Sequence, residues 1–281
     1  MVPRIIVIVG PTASGKSAYA VKLAKKFGGE VISADSRQVY KGLDIGTGKI
    51  TKREMEGVPH HMLDVASPKK VYTVNTFVIE GRNVIEDILR RGKVPIICGG
   101  TGFYIDALLG RVAVPRVAPN PALRKTLEQK TTMQLFSTLK RLDPRRARDI
   151  DPKNPVRLIR AIEIAKELGH VPKSNPEPLP YLTEWIGILI PEEKLRARIK
   201  KRLHARVKAG MVAEARRLHR AGLSYKRMHA LGLEYRYLGL FLQKKITKEH
   251  MLAELERHIK KYAKRQIGYW KRNKEIKWKR V

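Results

Sequence analysis

Cysteine is almost missing from this 281-residue chain, in which Cys98 stands alone. An internal disulfide and a cysteine-cluster zinc site are therefore excluded. Aromatic residues are few, at 6% of the chain. Long apolar runs are missing too. The run Ile5–Val9 is far shorter than the roughly 20 residues needed to span a bilayer. It leads straight into a glycine-containing turn, which does not fit a signal peptide. No membrane association and a cytoplasmic location are expected. His60 and His61 are adjacent but have no plausible metal partners near them in the sequence. Acidic residues are also scarce, with 26 Asp and Glu against 59 Lys and Arg, a formal net charge of +33.

The 43% of hydrophobic residues is enough to build an ordinary core. Positive charge is concentrated late in the chain. Residues 1–114 hold 17 basic and 10 acidic side chains, and the remainder holds 42 and 16. A polyanion such as RNA is the natural partner, because each neutralised phosphate releases counterions. The plainer alternative is a basic, solvated surface.

The pattern predicts strands at Ile5–Val9, Val31–Ala34 and Val94–Cys98, with helices at Ser17–Phe27 and Tyr72–Arg91. Such alternation predicts an α/β fold with a parallel sheet flanked by helices. Ligands of such sheets sit at the carboxyl ends of the strands. Asp35, Thr101 and the loop after Ile5–Val9 all lie at those ends. A proline-containing linker at Val114–Pro121 precedes helical segments at Ala122–Gln129, Met133–Arg141, Pro144–Ile150 and Val156–Leu168. A second proline-rich stretch, Pro172–Pro180, precedes an apolar strand at Trp185–Ile190. The expected layout is a core of residues 1–114 and 181–281 with a mostly helical insertion at 115–180. The helix Val156–Leu168 is assignable to either part.

Gly10-Pro11-Thr12-Ala13-Ser14-Gly15-Lys16-Ser17 matches the phosphate-binding P-loop pattern between a predicted strand and helix. Its glycines let backbone N–H groups wrap phosphate oxygens, and the helix N-terminus adds positive potential. Lys16 is expected on the terminal phosphate and Ser17 on Mg²⁺. The motif carries an expectation of nucleotide binding, ATP included. NTP chemistry, however, needs an acid at the end of a later strand. Val94–Cys98 runs into Gly99-Gly100-Thr101, and Trp185–Ile190 into Pro191. The motif thus points to diphosphate binding more firmly than to NTP hydrolysis.

Further segments carry a family likeness. They are Ile32–Lys49, which contains Asp35-Ser36-Arg37-Gln38, Pro59-His60-His61-Met62-Leu63-Asp64, Gly99-Gly100-Thr101-Gly102-Phe103-Tyr104, Asn154–Glu163, which contains Val156-Arg157-Leu158-Ile159-Arg160, and Lys264-Arg265-Gln266-Ile267-Gly268-Tyr269-Trp270. With the P-loop, they make the chain resemble the tRNA dimethylallyltransferases from end to end, as a P-loop NTPase-like α/β fold with a helical tRNA-binding insertion. One departure is Leu231-Gly232-Leu233, where the family usually has Ile-Gly-Tyr. The resemblance implies transfer of a dimethylallyl group from dimethylallyl diphosphate to N6 of the adenosine 3′-adjacent to the anticodon, assisted by Mg²⁺. It implies that Asp35 is the general base, that Thr101 contacts the reacting groups and that Arg216 grips the diphosphate. It implies tRNA contacts at Asp35, Ser36, Arg37, Gln38, Thr101, Arg124, Val156, Arg157, Leu158, Ile159, Arg160, His229, Gly232, Lys264, Arg265 and Gln266. The tRNA anticodon stem-loop is then the partner, and a monomer is expected.

The chemistry suits these residue types. The adenine N6 amine is a poor nucleophile, and a carboxylate within reach removes its proton as the C–N bond forms. Asp35 otherwise serves as a cap to the next turn, and Thr101 as a turn residue. Lys16, Arg216 and the loop amides suit a diphosphate leaving group. The adenine must be drawn out of its stack. Three other readings compete: an isopentenyltransferase acting on free AMP, ADP or ATP, a small-molecule P-loop kinase, and an RNA-binding protein with a relic P-loop. The basic body disfavours the first.

Overall fold

In the computed structural model, the structure describes residues 3–173 and 176–280. Two residues of the second proline-rich stretch, Ser174 and Asn175, lie outside the described residues. The chain forms two compact units, Met1–Arg111 with Pro178–Val281, and Val112–Glu177. The edges of the insertion fall three residues earlier than the composition suggests.

The first unit contains β1 (Arg4–Val9), α1 (Lys16–Phe27), β2 (Gly29–Ser33), α2 (Lys52–Met55), β3 (His60–His61), α3 (Val74–Arg90), β4 (Val94–Cys98) and α4 (Gly102–Leu108). The second contains α5 (Pro121–Leu127), α6 (Thr132–Leu142), α7 (Pro144–Asp149) and α8 (Pro155–Leu168). The first unit resumes with β5 (Leu182–Leu189), α9 (Glu192–Lys208), α10 (Met211–Arg220), α11 (Tyr225–Leu231), α12 (Leu233–Leu242), α13 (Lys248–Trp270) and β6 (Lys277–Arg280).

The sheet runs β3-β2-β4-β1-β5-β6 with every pairing parallel. β1 is central because its β-branched residues are buried on both faces, as a covered parallel strand requires. Ile5, Val7 and Val9 enter the larger core beside Phe77, Leu203 and Leu255. Ile6 and Ile8 point the other way, toward Ala20, Val21 and Ala24 of α1. The apolar pattern of α3 is less complete than its spacing suggests, since Ile79 is exposed.

The second unit has its own core, with Leu127, Leu135, Leu139, Leu158 and Ile162 packed together. α8 therefore belongs to this unit. Asn154 caps α8 by accepting from the Arg157 N–H, and Pro155 takes the first helical position. Among the described residues, no helix is long and apolar enough to cross a membrane.

Candidate active site

The phosphate loop follows β1. Gly10 has φ 151°, and a Cβ there would lie 2.7 Å from the Ile188 carbonyl oxygen. Only glycine lets the loop leave the sheet so close to β5. Ala13 and Gly15 also have positive φ, and the Ser14 N–H closes the turn on the Pro11 carbonyl at 3.2 Å. Gly15 caps α1 without a side chain, so the positive end of the helix faces the loop with no carboxylate or hydroxyl cap. Lys16 Nζ donates to the Pro11 carbonyl at 3.2 Å. Burial pushes the Lys16 ammonium below its ordinary pKa, and Arg202 adds to this, while Cys98 and Asp35 oppose it. A cation so desolvated gains from a phosphate partner. Cys98 is no nucleophile, because burial raises its thiol to about 11.

Asp35 and Thr101 meet across neighbouring strand ends. The Ala34 N–H bonds the Cys98 carbonyl at 2.9 Å, and the Thr101 N–H bonds the Ala34 carbonyl at 3.3 Å. The Ser36 N–H donates to Thr101 Oγ1 at 3.2 Å. The Arg37 N–H donates to Asp35 Oδ1 at 2.9 Å, which orients the carboxylate. The chain therefore turns at Asp35 as a cap would, yet the carboxylate still lines the cavity shared with the P-loop.

That open cavity holds about 670 Å³, counting space continuous with solvent. Thr12, Ala13, Lys16 and Ser17 line one side, and Asp35, Gln38 and Tyr262 also line it. Thr47, Gly48, His60 and Arg202 line it as well, and they and Tyr262 are not among the site residues expected from the sequence. Tyr262 hydrogen-bonds to Thr101, and burial, reinforced by the Asp35 charge, raises its phenol to about 12. Arg202 belongs to a row on α9 with Arg198 and Arg206, four residues apart. A Cβ built on Gly15 would come 4.0 Å from Arg198 Nη1, and one on Gly48 would come 3.2 Å from Arg202 Nη2. The four-residue spacing was the available signal, since it puts all three on one helix face.

The wall at Thr47 and Gly48 is held from α10. Buried Glu214 accepts from the N–H groups of Asp44 at 3.1 Å, Ile45 at 2.7 Å and Gly46 at 2.9 Å, and from the Tyr235 hydroxyl at 2.7 Å. Arg206 Nη1 adds a bond to the Gly46 carbonyl at 2.8 Å.

Other expected residues are distributed differently. Arg216 is exposed on α10 and is not among the residues lining the cavity, where Arg202 stands. Arg37 Nη2 lies 3.4 Å from a Cβ built on Gly232, which brings those two positions together. His229, Lys264 and Arg265 are exposed, and Arg265 sits 5.9 Å from the centre of the Tyr262 ring. In the insertion, Val156 and Arg157 are exposed and Ile159 is half-buried. Arg124 and Arg160 both pair with buried Glu163, at 2.7 and 2.6 Å. Leu158 is fully buried in the insertion core, so its side chain is not an RNA contact. Gln266 is likewise buried, with one amide end on Thr12 N–H and the other on the Gly100 carbonyl. Leu158 does not fit a surface contact, because its apolar side chain is used inside the fold, whereas Gln266 also lines the cavity.

Among the described residues, no group of three or more His, Cys, Asp or Glu is placed to hold a metal. Ser17 and Asp35 line the cavity beside the phosphate loop. This sparse oxygen set fits Mg²⁺, which keeps waters and takes phosphate oxygens with one or two protein ligands. His60 and His61 are accounted for otherwise. His61 Nε2 bonds Glu30 at 2.7 Å, and His60 Nδ1 bonds the Val58 carbonyl at 2.9 Å.

The family model described as IPP transferase matches residues 38–274, and one described as isopentenyl transferase matches residues 3–70. The tRNA dimethylallyltransferase of Anoxybacillus flavithermus is 37% identical over 280 residues, covering 98% of this chain and 89% of the relative. The tRNA dimethylallyltransferase 2 of Treponema denticola is 42% identical over 275 residues, covering 95% and 91%. A solved structure of a eukaryotic dimethylallyltransferase acting on tRNA superimposes with a TM-score of 0.82 at 27% identity, covering 99% of this chain and 74% of that one. A family match over most of the chain, joined to relatives of this identity along nearly its whole length, means that this protein belongs to the IPP transferase family.

Proposed function

We infer that this enzyme transfers a dimethylallyl group from dimethylallyl diphosphate to N6 of the adenosine 3′-adjacent to the anticodon of tRNA, releasing diphosphate. The observation that carries this reading is the shared cavity, where a phosphate loop faces a carboxylate at the end of the next strand. The P-loop amides, Lys16 and Arg202 hold the diphosphate. The amine lone pair of N6 attacks C1 of the dimethylallyl group, the C1–O bond breaks, and its electron pair leaves with the diphosphate. Asp35 takes the N6 proton. Because Asp35 Oδ1 already accepts the Arg37 N–H, the carboxylate is oriented before substrate arrives. Tyr262 contributes a hydroxyl to the cavity, and Thr101, which is not among the lining residues, bonds that side chain from behind. Ser17 would hold Mg²⁺, which would neutralise charge on the leaving group.

The insertion and the exposed cations Arg157, Lys264 and Arg265 suit the phosphates of an anticodon stem-loop. The enzyme works in the cytoplasm as a monomer. The reading is tested by offering AMP and an anticodon stem-loop together with dimethylallyl diphosphate. Prenylated stem-loop is the expected product; prenylated AMP in excess would overturn the tRNA assignment.

A further inference from the structure

We propose that Gln266 is a positioning residue that sets the spacing between the leaving group and the amine that attacks it, a role resting on the prenyl-transfer reading. Its amide connects two separate loops. Oε1 accepts from the Thr12 N–H at 2.8 Å, inside the phosphate loop. Nε2 donates to the Gly100 carbonyl at 2.9 Å, in the turn that carries Thr101. The orientation of the amide is fixed by its partners, because an N–H requires the oxygen and a carbonyl requires the nitrogen.

Its surroundings are built for this bracket. The residue is only 5% exposed. A Cβ on Gly100 would stand 2.1 Å from Gln266 Nε2, so an alanine there would expel the amide. The same point lies 3.8 Å from Lys16 Nζ, which places the bracket beside the phosphate cation. One turn earlier on α13, Tyr262 bonds Thr101. α13 is itself anchored through Ala263 and Trp270, whose ring packs 5.7 Å from that of Trp185. One rigid helix thus holds the diphosphate loop and the Thr101 turn in register. Both amide ends are engaged inside the protein, and Gln266 meets the cavity as part of its wall.

The test compares wild type with Gln266→Met, Gln266→Glu and Gly100→Ala. The readouts are calorimetric titration with inorganic diphosphate, stem-loop affinity, and the transfer rate at saturating substrates. Gln266→Met and Gly100→Ala should each weaken diphosphate binding and slow transfer by about tenfold or more, the scale of one lost buried hydrogen bond, while stem-loop affinity stays within about twofold. Gln266→Glu keeps the acceptor for Thr12 but sets a carboxylate against the Gly100 carbonyl. Protonation restores the donor, so its rate relative to wild type should rise as pH falls from about 8 to about 6. Gln266→Glu is nearly isosteric with the native side chain, so the bracket can be judged even where the Gln266→Met or Gly100→Ala protein does not fold. Stem-loop affinity weakened about tenfold with an unchanged saturated rate would overturn the proposal in favour of an RNA contact. Unchanged diphosphate binding with a pH-independent rate ratio would also overturn it. Absence of prenyl transfer by wild type would instead count against the functional reading, and the diphosphate titration would still judge the bracket.

Discussion

The Ser36 amide donates to the Thr101 hydroxyl at 3.2 Å, fastening the residue after the proposed base to the turn beyond β4. Thr101 is also bonded to Tyr262, so its hydroxyl links three elements of the site. Thr101→Ala removes that link, while Thr101→Ser preserves it. Single-turnover transfer to a stem-loop should fall about tenfold to a hundredfold in the alanine variant and much less in the serine variant. Equal losses in both would show that the methyl group, and not the hydroxyl, matters.

Asp35→Asn keeps an acceptor for the Arg37 N–H but cannot take a proton at neutral pH. Transfer should drop by about 10²- to 10⁴-fold, with stem-loop affinity nearly unchanged. Rapid-quench kinetics beside filter binding separate the two effects. A weakened affinity with a normal rate would make Asp35 an RNA contact only.

Arg202 lines the cavity and lowers the Lys16 pKa through charge. Arg202→Ala should weaken diphosphate binding by about tenfold to a hundredfold, the range for losing a charged hydrogen-bond partner, and Arg202→Lys should recover part of it. Isothermal titration with diphosphate reads this directly. Unaltered binding would remove Arg202 from the leaving-group site.

Glu163 is buried in the insertion, yet it is held at about 2. Burial opposes its ionisation, but bonds from Arg124, the Asn120 N–H and Arg160 outweigh it. The folded-state value lies below the ordinary 4.5, so the stability it contributes is present above 4.5 and is lost as pH falls toward 2. Glu163→Gln should destabilise the insertion at neutral pH by about 3 kcal/mol, because two arginines lose a carboxylate. Differential scanning calorimetry should show that gap closing as the pH is lowered through this window. A gap that widens on acidification would contradict the assignment.

The parts of this structure that were legible in the sequence are those written in contiguous residues. A phosphate loop must place successive amides around an anion, so Gly10–Ser17 announces itself. Asp35 and Thr101 were visible because strand ends of a parallel sheet gather on one side. Tyr262 comes from a long helix rich in exposed cations, whose pattern does not separate a cavity side chain from a solvated one, and Arg202 was marked only by its four-residue spacing from Arg198 and Arg206. The expectation for Leu158 failed for a related reason: a helix face covered by its own unit is decided by packing, which the local pattern of α8 does not contain. The short strand β6 was hidden because three of its four residues are cationic. It forms as an edge beside β5, where Gly187 leaves room for the Trp278 ring.

The most direct test of the central claim is mass analysis of nucleosides from tRNA incubated with the enzyme, Mg²⁺ and dimethylallyl diphosphate. Wild type should give N6-dimethylallyl adenosine at the position 3′ of the anticodon, and Asp35→Asn should give almost none. Unmodified adenosine with folded, diphosphate-binding wild type, or equal product from the Asp35→Asn enzyme, would contradict this reading.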